Sequence, residues 1–235
     1  MTSESVLLIV TSHDILGGTG NKTGFWYEEM AAPYYVFKDA GLAPILVSPK
    51  GGRAPIDPGS ERPDFRSLGV ERFAADSEAR SALDQTIRAE DAPDDCAAVF
   101  LVGGHGTMWD FPDWPGLSQL LGRAHAADRP VGAVCHGVAG LLSLRTDGGH
   151  PLVRGKRLTG FTNDEEAAVG LTGVVPFLLQ DRLSAAGGLF LAGDAFGEHV
   201  VTDGRLVTGQ NPVSSKSAAE KVLSLLGRNR QSELR

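Results

Sequence analysis

"PVGAVCHGVAGLL", Pro130 to Leu142, is the stretch on which the reading of this chain turns. A run of small apolar residues leads straight into Cys135, and a small-residue helix is expected straight after it. A sharp strand-to-helix turn of this kind is how an α/β sheet exposes a nucleophile at its strand ends. Gly137 lies two residues beyond the cysteine, where a strained backbone tolerates little bulk. Free N–H groups at the start of the helix would lower the thiol pKa. His136 follows directly. Neighbours on a regular helix do not face each other, but at a sharp turn that restriction loosens.

Working outward, apolar runs at 6–11, 44–47, 98–102, 131–134 and 157–159 read as strands with helices between most of them. Met30, Tyr34 and Phe37 fall on one helical face, and "PGLSQLLGRAHAA" supplies another helix. Alternating strands and helices imply a mainly parallel, doubly wound, flavodoxin-like α/β sheet covered on both faces. "HVVTDGRLVTG" reads as a C-terminal β-hairpin around Asp203-Gly204. "SSKSAAEKVLSLLG" reads as a closing helix with Val222, Leu225 and Leu226 inward. The whole chain, 1–235, is expected to be one domain. A polar, Pro- and Gly-rich surface excursion around 50–93 is expected to carry a helix near 77–88.

The chain has 235 residues, 42% apolar and 22% charged, with a formal net charge of −7. That balance argues against nucleic acid or an anionic membrane as partner. No stretch approaches the roughly 20 apolar residues that span a bilayer, and "MTSES" has no secretory pattern, so a cytoplasmic protein is expected. Two cysteines are too few for a disulfide framework. Cys96, beside the strand "AAVFLVGG", reads as a small core residue. The six histidines show no metal-ligand spacing, so no metal is expected.

"GGTGNKTGFWYEE", Gly17 to Glu29, invites a phosphate-loop reading that its spacing refuses: Asn21 and Leu16 stand where that loop needs glycine. Gly103 and Gly104, in "LVGGHGTMWDFPDWPG", end another strand and can bring N–H groups to a reacting oxygen. Trp109 and Phe111 are candidates for a pocket wall. "GFTNDEEAAVG" puts Glu165 and Glu166 at a helix start, where acidic residues are common for dipole reasons alone.

Taken together, "AVCHG", "GGHGTMWDFP", "KTGFWYEE", "SPKGG", "GFTNDEE" and "VTDGRLVTGQNP" resemble the ThiJ/PfpI superfamily across nearly the whole chain. The resemblance is strongest to its glutathione-independent glyoxalases and heat-inducible chaperone-like members. It implies a nucleophile at Cys135, a base or proton shuttle at His136 and a carboxylate aimed at the thiol. The family spacing from Gly24 and Pro33 selects Glu29 for that carboxylate and leaves Glu28 as a solvated helix start. The resemblance places Gly104, with the N–H of His136, at an oxyanion site. His105 joins the substrate-binding set, and Glu166 is the carboxylate that orients the histidine. It further implies a 2-oxoaldehyde substrate, no cofactor and a homodimer. The competing readings are a stress-response chaperone or redox sensor using the same cysteine, and a cysteine peptidase or amidotransferase-like hydrolase. An amidotransferase needs a downstream His-x-Glu pair, and none is found before "TGQNP".

Overall fold

In the computed structural model, which describes residues 4–146 and 148–227, the apolar run Ser5–Ile9 forms β1, buried along its whole length. Helix α1 (Tyr27–Asp39) and β2 (Ala43–Val47) follow, then α2 (Leu68–Ala75), α3 (Ser77–Asp84) and β3 (Cys96–Leu101). The short α4 (Thr107–Asp110) and α5 (Pro115–Ala126) lead to β4 (Val131–Val134) and a 3-10 helix at Cys135–Leu142. The remainder holds β5 (Arg157–Leu158), α6 (Asn163–Ala168), α7 (Leu179–Ala185), β6 (Leu189–Phe190), β7 (Val200–Asp203), β8 (Leu206–Gly209) and α8 (Ser215–Leu225).

The central sheet has six strands in the order β2-β1-β3-β4-β8-β7. All pairings are parallel except the hairpin β7-β8 at one edge. Strand order reverses between β1 and β3, so their carboxyl ends flank a switch-point crevice, the usual ligand site of such sheets. Alternation along β3 explains why both faces are covered. The Phe100 ring meets Phe37 of α1, 6.0 Å away, and lies beside Gly132, where Val222 of α8 also packs. The next side chain, Leu101, joins Leu117 of α5 and Phe111 around Gly140. The doubly wound sheet and the C-terminal hairpin are therefore as expected.

Four local expectations change. The run at 157–159 gives β5, which pairs with β6 in a separate two-stranded sheet instead of joining the main one. The helix after Cys135 is a 3-10 helix, its small residues wedged under the sheet ends. In α8, Leu223 takes the inward place beside Val222, while Leu225 and Leu226 are half-buried.

The 50–93 excursion is not a surface appendage. Its expected helix ends at Asp84, and a second helix, α2, precedes it. Val70 and Phe73, three apart on α2, are buried, as are Ala79 and Leu83 on α3. The Phe73 ring packs edge-on against Tyr27, Tyr34 and Tyr35 of α1. Further on, Ile87 pairs with Val47, extending the edge beside β2. Polar composition hid these few apolar anchors. Among the described residues, no helix is long and apolar enough to cross a membrane.

Candidate functional site

Cys135 leaves β4 with φ of +54°, a left-handed conformation that a non-glycine residue adopts only where its surroundings impose it. This is the strained elbow the sequence implies. It sets Cys135 beside Gly103, just past the carboxyl end of β3, and brings His136 Nδ1 to 3.3 Å from Sγ, although the two residues are adjacent in sequence. A Cβ on Gly137 would come within 2.7 Å of the Leu101 and Val102 carbonyl oxygens, so the turn closes only with glycine there.

The His136 ring is held on several sides. It lies between His105, with centroids 4.0 Å apart, and Phe161, at 4.4 Å. Its Nε2 is 2.8 Å from Glu166 Oε2, and His105 Nε2 is 3.0 Å from Glu166 Oε1. Burial and the nearby His105 press the His136 pKa down to about 4. Burial alone would raise Glu166, but its bonds to His105 and His136 outweigh this and hold it near about 2. The resting pair is therefore a carboxylate accepting N–H from a neutral imidazole. That fixes the His136 proton on Nε2 and leaves the Nδ1 lone pair facing the thiol. Glu166, His136 and Cys135 thus form a continuous relay.

Glu29 approaches from the other side. The Lys22–Trp26 segment answers the puzzle of the glycine-rich turn. Phe25 N–H donates to the Pro55 carbonyl, Asp57 N–H to Phe25, and Trp26 N–H to Gly103. Threaded between these two loops, the chain enters α1 with Glu29 fully buried and Oε2 close over Gly103, where a Cβ would lie 2.2 Å from it. Neither Glu29 oxygen has a full hydrogen bond. Burial drives its pKa well above the usual carboxylate value, and the Cys135 thiol and the Gly103 N–H only partly offset this. Glu29 therefore holds its proton to higher pH than an ordinary carboxyl does.

The thiol departs from expectation. Burial first, then the charge and hydrogen bond of Glu29, push the Cys135 pKa well above normal, while the His136 N–H acts the other way. The start of the 3-10 helix does not win, because a fully buried thiolate beside an acid costs more than those N–H groups return. At rest Cys135 is a protonated thiol that faces His136 Nδ1.

Cys135, His136, Glu29, His105 and Glu166 thus converge. Gly104, at φ of +105°, stands beside them with its backbone against Trp26 and Gly24. Of the expected pocket wall, Phe111 lies in the core, and Trp109 stacks on His13 with centroids 5.0 Å apart. One cluster could not be read from spacing, and one expectation fails. His105 and His136, far apart in sequence, bring donor atoms within 4.8 Å of each other and of Glu166, as a metal site would. Glu28 is half-buried and accepts the Ser67 hydroxyl, so it is not a solvated helix start.

Glu165 does more than the dipole role expected of an acidic helix start. It is fully buried, and its Oε2 accepts the N–H and hydroxyl of Thr162 in a capping box. Oε1 accepts from Phe196 N–H at 2.8 Å, Asn211 Nδ2 at 2.8 Å and Gln210 Nε2 at 3.2 Å. The signal was present: Thr162 with Glu165 three residues on is a capping-box pattern. Glu165 holds the helix start that presents Glu166.

An α/β protein with a buried cysteine at a strained strand-end turn, a histidine–carboxylate relay and an opposed acid is the class that fold and site define. The model for the DJ-1/PfpI family matches residues 22–225, and the chain belongs to that family. A glutathione-independent glyoxalase of Saccharomyces cerevisiae is 32% identical over 96% of this chain and 99% of its own. The crystal structure of glyoxalase III from Candida albicans superposes with a TM-score of 0.88 at 31% identity, covering 94% of this chain and 97% of that one. The Rapid Encystment Protein of Francisella tularensis superposes at 0.91 with 36% identity, covering 95% and 99%.

Proposed function

We propose that the protein is a glutathione-independent glyoxalase that converts methylglyoxal, and glyoxal, to the 2-hydroxy acid. The observation that carries this reading is the placing of a neutral His136, with a free Nδ1 lone pair, and of Glu29, whose proton burial holds more tightly than usual, on either side of one buried thiol. An internal redox rearrangement of a 2-oxoaldehyde needs such a nucleophile and two proton carriers. The names of the relatives and the full-length coverage support it.

In the proposed reaction, Sγ adds to the aldehyde carbon while the thiol proton passes through His136 to the new hydroxyl, giving a neutral hemithioacetal. His136 Nδ1 then takes the hydrogen from that carbon, and Glu29 protonates the neighbouring carbonyl oxygen to form an enediol. The imidazolium returns its proton to the neighbouring carbon, and the Glu29 carboxylate takes the hydroxyl proton from the first, leaving a thioester. Water cleaves the thioester to lactate and restores the thiol. The N–H groups of Gly104 and His136 are the proposed donors to the developing oxygen charge. Cytoplasmic placement is part of the same proposal, supported by two free cysteines. The test is lactate formation from methylglyoxal by protein free of glutathione. No lactate, at any pH between about 6 and 9 where imidazole and thiol chemistry operate, refutes the reading.

A further inference from the structure

The geometry points to a second ligand of this site: a zinc-class divalent cation, held by His105 Nε2, His136 Nε2 and Glu166, that reversibly switches the site off. The binding claim stands on the side-chain cluster alone; the inhibition rests on the proposed glyoxalase reaction.

Zinc takes imidazole nitrogen and carboxylate oxygen at about 2.0–2.2 Å in tetrahedral arrangement, which sets ligand atoms roughly 3.3 Å apart. Here the two imidazole–carboxylate separations are 3.0 and 2.8 Å, and all three donor atoms lie within 4.8 Å of one another. Small side-chain adjustments would close them on an ion. The cage is preformed: Phe161 and His105 bracket the His136 ring, and the capped start of α6 fixes Glu166. Two imidazoles and one carboxylate suit zinc and its neighbours over magnesium or calcium, which prefer all-oxygen shells. Three protein donors leave a fourth position for water. His105, with 12% of its side chain exposed, gives a route from solvent.

The consequence follows from tautomers. In the metal-free site both rings donate Nε2–H to Glu166, and His136 keeps its lone pair on Nδ1. A ring that binds metal through Nε2 must carry its hydrogen on Nδ1. His136 would then present N–H to Sγ, and the thiol proton would lose its acceptor. No residue need move more than a side-chain adjustment for the nucleophile to be silenced.

The test is calorimetric titration of chelator-stripped protein with zinc chloride, paired with the absorption spectrum of the cobalt(II) form. The expected result is about one zinc per chain and intense tetrahedral cobalt bands without sulfur charge transfer. His105→Asn and Glu166→Gln should each weaken binding by more than the ~10–100-fold that loss of an outer-shell partner costs. Cys135→Ser should leave it intact. Absence of binding, undiminished binding in both ligand variants, or loss in Cys135→Ser overturns the site. If the ligand variants do not fold, judged by circular dichroism, the wild-type cobalt spectrum decides: a sulfur band or no tetrahedral bands overturns it. Zinc-loaded protein should turn over methylglyoxal at least ~10-fold more slowly than stripped protein. Equal rates overturn the inhibition. Zinc binding without any turnover by stripped protein would sink the glyoxalase reading and leave the site standing.

Discussion

Cys135 and Cys96 are both buried thiols, and only their surroundings separate them. Cys96 opens β3 beside Arg129, whereas Cys135 faces His136 and Glu29. Cys135→Ser should abolish lactate formation and keep the fold, and Cys96→Ser should leave turnover near wild type; equal losses would contradict the elbow assignment. Glu29 makes a sharper case because its two roles oppose each other. Its folded pKa lies above the ordinary value of 4.5, so the folded state holds that proton more tightly than the unfolded chain. Stability is therefore lost as pH rises from 4.5 towards the folded value. Glu29→Gln removes that dependence. Urea unfolding should show the variant gaining on wild type as pH climbs from about 5 to 8, while its turnover falls about 10²–10⁴-fold. A variant that loses ground with rising pH would mean that Glu29 is ionised. Glu28→Gln keeps an oxygen for Ser67 and should change turnover little.

At the scale of elements, α2 is joined to the site helix by polar and apolar ties. The Ser67 hydroxyl donates to Glu28 and accepts from Val70 N–H, so one side chain both caps α2 and pins it to α1. Beneath lies the fully buried Phe73 among three tyrosines. Phe73→Ala should cost about 3–5 kcal/mol by denaturant unfolding, with activity at low temperature reduced far less than stability. A loss below about 1 kcal/mol would mean that the segment rides on the surface after all. This is where the sequence was least legible. Two anchors in eight residues leave α2 no strong period, and Pro58, Gly59 and Pro63 before it, with Gly69 inside it, imitate a loop. β5 misled for the opposite reason: "RLT" has strand chemistry, but only the partner decides which sheet a strand joins.

Across the whole molecule, the sheet was legible because β1, β3 and β4 are short apolar runs, the last two leading to Gly103 and Cys135, and a parallel sheet admits few ways of ordering them. The elbow was legible because strand, Cys135, His136 and Gly137 stand together in sequence. The rest of the site was not, because His105, Glu29 and Glu166 come from three separate loops or helix starts, and only the resemblance to a family could gather them. Glu165 shows what such gathering does for the molecule as a whole. One buried carboxylate ties α6 to the turn after β8 and to the loop bearing Phe196, a residue 48% exposed with φ of +58°. A half-exposed loop amide ordinarily trades its hydrogen with solvent by local fraying. The Phe196 amide cannot leave without stripping a donor from a carboxylate sealed in the core, so its exchange should follow the opening of the entire carboxyl-terminal half. Deuterium uptake at Phe196 should be slow in the wild type and fast in Glu165→Gln, which makes this surface position a reporter of how often the helix start that presents Glu166 lets go.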